Sequence, residues 1–487
     1  MATRDHVVLF PFMAQGHITP FLSLANLIQE RHRSFTVTLL STPLNIAKLQ
    51  LLLPAASRLR LHSLPFDGSH HGLPPNSENT DSLCPADVVR LQLASQSLEP
   101  HFEHFLQVAR PAVIIADIFL GWTVLSARKI GGGVRHAAFT TCGAYGFMAF
   151  TSMWLHFPHK STGDDEFHVP GFPPNFRLDR SQISPYLRSA DDSEPLAAFV
   201  RRQIRLSLLE SDFVLCNTVE EIDSFGLRLL RENTKLAVWP VGPLLPLEAK
   251  ESYNRAGKKS GINLETCIQW LSRRSQGSLL YICFGSQNTI SASQMTALAV
   301  GLELTQTPFI WVIRPPVGFD MNGEFKDEWL PEGFESRMRD RDQGILVRSW
   351  APQLEILTHE STGAFLTHCG WNSVLESLSR GKPMVAWPLA AEQFYNAKMM
   401  TEELGVCAEI ARGLERELEV DRVVTVIGMV MEGEEGREMR RKAAECKELI
   451  RDAMREEEGG SKGSSIKSVD NFILTAVSAT RTEKEVI

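Results

Sequence analysis

The chain has 487 residues, of which 43% are hydrophobic and 22% charged, as in an ordinary globular protein. A typical domain size of roughly 150 residues allows about two to four domains. The 50 basic and 58 acidic residues leave a formal net charge of −8, which excludes a general nucleic-acid or anionic-membrane binder because no bulk positive field attracts polyanions.

Cysteine usage and the apolar runs indicate the cellular setting. Eight cysteines are spread over the chain, with no Cys-x-x-Cys pair and no metal-ligand spacing. The apolar run near the start is too short for a signal segment, and no run reaches the roughly 20 residues of a membrane span. We therefore expect a reduced cytoplasmic protein without a membrane span.

Through the first half of the chain, short apolar runs rich in β-branched residues alternate with stretches of helical periodicity. The runs predict strands at 6–12, 36–40, 59–63, 112–116, 134–139, 213–216 and 237–241. The periodic stretches predict helices at 21–29, 86–108, 122–130 and 199–209. Continuously apolar strands separated by helices indicate a parallel sheet covered on both faces, which is a doubly wound α/β domain.

A polar, proline-containing segment interrupts this pattern. Residues 248–261 lack apolar periodicity, which predicts an exposed linker at 243–263 between an N-terminal domain at 1–242 and a C-terminal domain at 264–463.

The alternation then restarts in the second half of the chain. We predict helices at 264–273 and 293–303, and strands at 279–284, 309–313, 345–348, 364–367 and 384–386. The charged stretch 436–460 places its apolar residues on one helical face, as in a solvated helix. The final segment, 464–487, is expected to form a helix that packs back on the first domain.

The most informative stretch is 365–376, where an apolar strand runs into Gly370 and a helix is predicted to begin at Asn372 or Ser373. A glycine lets a ligand approach the backbone, and the unpaired N–H groups of a helix start attract anions. His368, at the end of the strand, adds a hydrogen-bond donor or a full charge. The pattern predicts a diphosphate site formed without Lys or Arg.

The same residues also have structural interpretations. Ser373 and Glu376 fit a Ser-x-x-Glu capping box, which taken alone is the better interpretation. Trp350 taken alone is more typical of a core or surface aromatic than of a base-stacking platform. The whole arrangement across 350–393 is what favours a ligand site.

Residues 350–393 resemble, in sequence and in spacing, the signature of the plant secondary-product glycosyltransferases, which are UDP-dependent family 1 enzymes. The resemblance extends over nearly the whole chain and implies two Rossmann-like domains facing across a cleft, the GT-B fold. It assigns the uridine to Trp350, Ala351, Gln353 and Glu376, the phosphates to Ser286, His368, Asn372 and Ser373, and the sugar to Thr141, Trp371, Glu392 and Gln393.

Two positions bear on the donor sugar. By the family's pattern, Gln393 at the end of the signature is associated with glucose. An Arg in place of Trp371 would suggest a uronic acid, since a carboxylate prefers a bidentate guanidinium. The resemblance therefore favours UDP-glucose as donor.

The resemblance also implies a catalytic His–Asp pair. His17 follows the first strand and Asp117 ends another, at the edge where a doubly wound sheet presents ligands. His17 would act as general base on an acceptor hydroxyl, and Asp117 would orient the ring and stabilise the imidazolium. The implied reaction is direct displacement with inversion, which turns an α-linked UDP-sugar into a β-glycoside.

No catalytic metal is expected if the family's metal-independent architecture holds. Asp340 and Asp342 form an Asp-x-Asp motif, but they lie in an alternating-charge stretch that predicts surface. His101 and His104 share a helix face without a third ligand nearby in sequence, which favours a structural role over zinc.

The acceptor is expected to enter from the first half of the chain. The stretches 64–84 and 143–188 are predicted to be long irregular loops and pocket walls. An apolar wall is predicted from Phe147, Met148, Met153, Trp154 and Phe157, although core packing explains these residues equally well. The resemblance suggests a flavonoid, another phenolic or a terpenoid as acceptor. We expect a monomer, and because two domains leave a cleft between them, we predict that the cleft closes upon donor binding.

Three other classes of protein share parts of this pattern. A non-catalytic nucleotide-sugar binding protein would be expected to lose the pair His17 and Asp117. An NAD-linked dehydrogenase needs Gly-x-Gly-x-x-Gly after its first strand, which is missing here. A sugar-nucleotide epimerase remains the nearest enzymatic alternative, but it has no use for a lipophilic acceptor pocket.

Overall fold

The computed structural model describes residues 5–54, 56–191, 193–245, 260–457 and 460–482. Most of the linker predicted at 243–263, the end of the C-terminal segment and Gly459 lie outside these described residues. Both halves of the chain form a sheet of parallel strands with helices on either face.

The first sheet has seven parallel strands in the order β3-β2-β1-β4-β5-β8-β9. A separate antiparallel pair, β6-β7, follows the fifth strand along the chain. The strands of this half are β1 His6–Phe10, β2 Thr36–Ser41, β3 Arg60–Ser63, β4 Val113–Asp117, β5 Arg135–Thr140, β6 Glu166–His168, β7 Arg177–Asp179, β8 Phe213–Cys216 and β9 Ala237–Pro240.

The second sheet has six parallel strands in the order β12-β11-β10-β13-β14-β15. Its strands are β10 Leu279–Cys283, β11 Phe309–Ile313, β12 Gly344–Arg348, β13 Thr362–Thr367, β14 Met384–Ala386 and β15 Cys407–Glu409. The last of these was not predicted, because Cys407–Glu409 contains no β-branched residue.

Helices cover both faces of each sheet. The helices of the first half are α1 Gln15–Arg31, α2 Pro43–Leu52, α3 Pro85–Ala94, α4 Glu99–Ala109, α5 Thr123–Ile130, α6 Ala144–His156, α7 Pro185–Ser189, α8 Pro195–Leu209 and α9 Ser224–Thr234. Those of the second half are α10 Leu264–Leu271, α11 Ala292–Thr305, α12 Phe334–Asp340, α13 Gln353–Thr358, α14 Trp371–Ser379, α15 Gln393–Lys398, α16 Val420–Met431, α17 Glu434–Ala453 and α18 Ser464–Thr482.

Strand β1 shows why continuously apolar runs form the centres of these sheets. Val7 and Leu9 pack into the core on one face, while Val8 and Phe10 pack into the core on the other. Because successive side chains of a strand point to opposite faces, a strand buried on both faces needs apolar residues at every position. All four side chains are fully buried.

Two predictions in the first half are wrong for identifiable reasons. The helix predicted at 86–108 is broken into α3, a 3₁₀ turn at Ser95–Leu98 and α4. Pro100 lies in the first turn of α4, where its missing N–H is tolerated, whereas it would interrupt a continuous helix. The stretch 143–188, predicted as irregular, contains α6, which is buried nearly all round and therefore shows little amphipathic period.

The C-terminal helix α18 packs against the first sheet, away from the sheet that precedes it in sequence. Phe472 lies edge-on to Phe213, with ring centroids 5.7 Å apart. In the first half of the helix, Asp470 accepts two hydrogen bonds of 2.7 Å from the guanidinium of Arg31. Within the described ranges, no helix combines the length and the hydropathy needed to cross a membrane.

Candidate active site

A cavity of about 710 Å³ lies between the two halves, where the carboxyl ends of both parallel sheets face each other. Residues after β1, β4 and β5 line it from the first half, and residues after β10, β11 and β13 line it from the second. This edge is where doubly wound sheets bind ligands, because their helices start there and their loops are free of packing.

His17 and Asp117 meet at the first sheet's side of the cavity. His17 lies in the first turn of α1, and its Nδ1 is 2.7 Å from Oδ2 of Asp117, the last residue of β4. The other carboxylate oxygen accepts a 3.0 Å hydrogen bond from the backbone N–H of Phe119. Both oxygens of Asp117 are thus engaged, so the carboxylate fixes the ring and leaves Nε2 of His17 for a ligand.

The surroundings of His17 favour its protonated form. Burial lowers the pKa of His17, but the charge and hydrogen bond of Asp117, together with the charge of Glu392, raise this pKa above its ordinary value. The side chain of His17 is 21% exposed and that of Asp117 is fully buried. A histidine in this setting can take a proton from a neighbouring group and hold the resulting charge.

The second sheet's side of the cavity is built on β13 and α14. Helix α14 begins at Trp371, with Gly370 as its N-cap and no side-chain cap. The alternative interpretation of Ser373 and Glu376 as a capping box does not hold: the helix starts earlier than Asn372, and its glycine cap has no side chain. The first-turn N–H groups lack a side-chain partner, as an anion site requires.

His368 is enclosed by two glycines beside this helix start. A Cβ added at Gly370 would lie 2.5 Å from Nε2 of His368, and one added at Gly285 would lie 2.6 Å from the same ring. Gly285 also has a φ of +77°, which disfavours other residues there. Burial and, secondarily, the charge of Arg314 lower the pKa of His368 to about 4. His368 is accordingly a neutral donor at pH 7 in the unliganded protein, without the full charge that the sequence had left open.

Arg314 is a residue of this region that sequence reasoning missed. It directly follows β11, and it lines the cavity together with His368 and Ser286. An arginine therefore lies near the diphosphate site that was predicted without Lys or Arg. The register could have indicated it, since Val312 pairs with Cys283 and so places Arg314 at the same edge as the turn after β10.

All four residues assigned to the uridine line the cavity, namely Trp350, Ala351, Gln353 and Glu376. The amide of Gln353 donates to Oε2 of Glu376 at 2.7 Å and accepts from the hydroxyl of Tyr281 at 3.2 Å. Tyr281 also lines the cavity and was not singled out from the sequence. Because its neighbours hold Gln353 in place, the carboxylate of Glu376 is fixed before any ligand binds.

The four residues assigned to the sugar all line the same cavity. Oε1 of Gln393 accepts hydrogen bonds from the backbone N–H groups of Leu389 at 3.0 Å and Ala390 at 2.9 Å, which leaves its NH₂ group for a ligand. Burial raises the pKa of Glu392. Thr141, which is also assigned to the sugar, directly follows β5.

Trp371 and Asn372 also join the two halves of the molecule. The indole N–H of Trp371 donates to the backbone oxygen of Asn217 at 2.6 Å, and the amide of Asn372 donates to that of Gly16 at 2.9 Å. Trp371 packs so closely on Gly143 that a Cβ there would lie 2.5 Å from its ring. The indole N–H is therefore engaged within the protein.

The predicted acceptor wall is only partly on the cavity. Phe147 and Trp154 line it, but Met148, Met153 and Phe157 are not among the described lining residues and pack into the neighbouring core. Met148 and Met153 share α6 with the lining residues but lie on its other faces, which sequence could not separate in an apolar helix, and Phe157 directly follows the helix. Further lining residues of this region are Val88, Val89, Gln92, Phe119, Phe150, Ser184, Tyr186, Leu187, Leu196 and Val200.

The side chains considered as metal ligands and set aside from the sequence are not among the residues that line the cavity. Asp342 is 50% exposed and pairs with Arg274 at 2.9 Å. His101 and His104 are both exposed on α4. In the part of the chain that the structure describes, no group of three or more His, Cys, Asp or Glu side chains has an arrangement that could hold a metal ion.

Known proteins share this sequence and arrangement. A family described as UDP-glucoronosyl and UDP-glucosyl transferase matches residues 258–438. Crocetin glucosyltransferase 3 of Crocus sativus is 50% identical over 87% of this chain and 90% of its own length. UDP-glycosyltransferase 92A1 of Arabidopsis thaliana is 41% identical, with 96% of each chain covered. The structure of Phytolacca americana UGT2 complexed with UDP-2fluoro-glucose and pterostilbene has a TM-score of 0.76 and 26% identity, over 97% of this chain and 99% of that chain.

These similarities extend over both halves of the molecule. The two facing parallel sheets form the GT-B fold that the sequence resemblance implied. The matched family and its relatives transfer sugars from UDP-linked donors, so the chain is an enzyme of that kind. The chain belongs to the plant UDP-dependent glycosyltransferases of family 1.

Proposed function

We propose that this enzyme transfers glucose from UDP-glucose, with inversion, to a hydroxyl group of a lipophilic plant metabolite such as a flavonoid, another phenolic or a terpenoid. The product is a β-glycoside, and the enzyme works as a cytoplasmic monomer without a metal. The observation that carries this proposal is the 2.7 Å contact between His17 and Asp117. It lies in the same cavity as the helix start at Trp371 but on the opposite sheet.

In the proposed reaction, Nε2 of His17 removes the proton of the acceptor hydroxyl as its oxygen attacks the anomeric carbon. The new C–O bond forms on one face while the bond to the UDP oxygen breaks on the other, which inverts the configuration. Asp117 stabilises the imidazolium that results. Negative charge develops on the departing diphosphate, where the N–H groups at the start of α14 and the neutral donor His368 can stabilise it.

Three observations support the choice of donor and acceptor. The NH₂ group of Gln393 remains available for a sugar hydroxyl, and Trp371 offers no guanidinium to a uronic acid. The acceptor side is mainly apolar and includes Trp154 and Tyr186, whose rings are 5.9 Å apart. Relatives include a crocetin glucosyltransferase and a protein solved with a UDP-glucose analogue and pterostilbene.

The test combines an acceptor panel with the variant His17→Ala. We measure release of UDP from UDP-glucose with phenolic and terpenoid acceptors, identify the glycoside by mass, and determine UDP affinity by calorimetry. His17→Ala should lower kcat by roughly 10²–10⁴-fold, which is the usual contribution of a general base, with UDP affinity unchanged.

The exposed His101→Ala serves as the matched control and should retain full activity. The proposal is wrong if no acceptor stimulates UDP release, or if His17→Ala keeps the activity of the parent enzyme. UDP-galactose and UDP-glucuronate in place of UDP-glucose test the donor, and sedimentation tests the monomer.

A further inference from the structure

Arg314 is the only lysine or arginine among the described residues that line the cavity. It follows β11 and lies at the sheet edge that also carries the Gly285 turn and His368. Its side chain is partly buried. In the described ranges no carboxylate forms an ion pair with Arg314. Its Nη2 donates a hydrogen bond of 3.3 Å to the backbone oxygen of Ser349.

The rest of the predicted diphosphate site, the cradle formed by Ser286, His368 and the start of α14, carries little positive charge. His368 is neutral at pH 7, and a helix start contributes only about half a positive charge. The nearby carboxylates Glu376 and Glu392 line the same cavity and add negative charge. A nucleoside diphosphate brings further negative charge into this site, so a full positive charge beside the cradle would contribute strongly to its binding.

We propose that Arg314 is a donor-positioning residue whose guanidinium supplies the positive charge for the diphosphate of the UDP-sugar. This inference rests on the proposed function, because it takes the cavity as the site of a UDP-linked donor. It adds a third group to the helix start and the donor His368. The same charge stabilises UDP as it leaves, when the bond to the anomeric carbon breaks and its electron pair stays on the phosphate oxygen.

A second role for Arg314 predicts different behaviour. Ser349 has a φ of +75° and directly precedes Trp350, so the hydrogen bond from Arg314 could instead hold the backbone that presents this ring to the base. That role would affect every ligand that carries uracil. The charge role affects ligands in proportion to the number of phosphates they carry. A series of uridine, UMP and UDP therefore separates the two roles.

The experiment measures the dissociation constants of uridine, UMP and UDP for the parent enzyme, Arg314→Gln and Arg314→Lys, at low and high salt. For Arg314→Gln we expect UDP affinity to fall by about ten- to a hundredfold, as for the loss of a charged hydrogen bond, while uridine affinity changes by less than about twofold. The UDP affinity of Arg314→Lys should lie between those of the parent enzyme and Arg314→Gln, because lysine keeps the charge but lacks the planar guanidinium. The salt dependence of UDP binding should weaken in Arg314→Gln.

Arg348→Gln is the matched control. Arg348 ends the neighbouring strand β12, is paired with Glu335 at 2.7 Å and is not among the residues that line the cavity. Its replacement should leave all three affinities unchanged. Thermal melting of each variant shows that the fold is intact.

Two results would overturn the inference. An equal loss of affinity for uridine, UMP and UDP in Arg314→Gln would assign the residue to the Trp350 backbone. Unchanged UDP affinity in Arg314→Gln would remove it from the site altogether. Failure of the parent enzyme to bind UDP would instead refute the proposed function, so the two failures are distinguishable.

Discussion

His17 and His368 occupy corresponding places in the two halves of the molecule. Each lies beyond the carboxyl end of a parallel strand, and each lines the cavity between the sheets. Burial lowers the pKa of both residues, yet the net shift is upward for His17 and downward, to about 4, for His368. Two histidines at equivalent places in the fold therefore have pKa values that are shifted in opposite directions.

The difference comes from the neighbouring charge. His17 is bonded to the carboxylate of Asp117, whereas His368 lies between two glycines, near the guanidinium of Arg314. An adjacent negative charge stabilises the imidazolium and an adjacent positive charge opposes it. This comparison suggests that one histidine exchanges a proton during the reaction while the other remains a neutral hydrogen-bond donor.

The largest effect is expected when the partner of His17 loses its charge. Asp117→Asn keeps the shape of the side chain but removes the stabilisation of the imidazolium and its preferred tautomer. We expect kcat to fall by about 10³–10⁴-fold, as in other His–carboxylate pairs, while the affinity for UDP stays the same. Steady-state kinetics and calorimetry measure the two quantities, with the exposed Asp342→Asn as control. A parallel loss of UDP affinity would refute this division of roles.

A smaller and different effect is expected at the second histidine. His368→Ala removes one neutral donor next to the helix start, so we expect UDP to bind about five- to tenfold more weakly. His17→Ala should leave UDP affinity unchanged. Calorimetry of UDP binding to both variants therefore tests the different roles of the two histidines. Equal UDP affinities in His368→Ala and the parent enzyme would show that His368 does not contact the diphosphate.

The pH dependence should report His17 and not His368. A general base works when neutral, and the pKa of His17 is raised, so kcat/KM should fall as the pH decreases through a value above 6.5. Glu392→Gln removes a minor charge that raises this pKa and should shift the acid limb slightly to lower pH. The pH profile of kcat/KM with an uncharged acceptor measures this limb. A shift to higher pH would contradict the assignment.

The smallest effect concerns the contact between the halves. Trp371→Phe removes the 2.6 Å hydrogen bond to the backbone oxygen of Asn217, and Trp387→Phe removes one of 3.1 Å to Gly413 within the second half. Each loss of a buried hydrogen bond costs about 1–3 kcal/mol, so both variants should melt at lower temperature. Small-angle scattering should show expansion only for Trp371→Phe. Equal dimensions of both variants would mean that this bond does not restrain the cleft.

Much of the framework could be predicted from the sequence because it depends on local pattern. Strands at Phe213–Cys216, Phe309–Ile313 and Met384–Ala386 were predicted to the residue, since a short apolar run that directly follows a proline or a polar residue has few alternatives. The motif at 350–393 was recognisable for a similar reason: a strand, a glycine and a helix start follow one another directly. Helix α6 could not be predicted, because burial on all sides removes the amphipathic period.

The sequence by itself determined the two parallel sheets, the glycine turns at their edges and the residue types available there, because these depend on neighbours along the chain. Only the tertiary structure decided which charges meet. Asp117 is 100 residues from His17, and the pairing of β10 with β11 places Arg314 at the sheet edge that follows β10. A pKa depends on distances in space and on burial, so the opposite chemistry of His17 and His368 arises only when the sheets assemble and face each other.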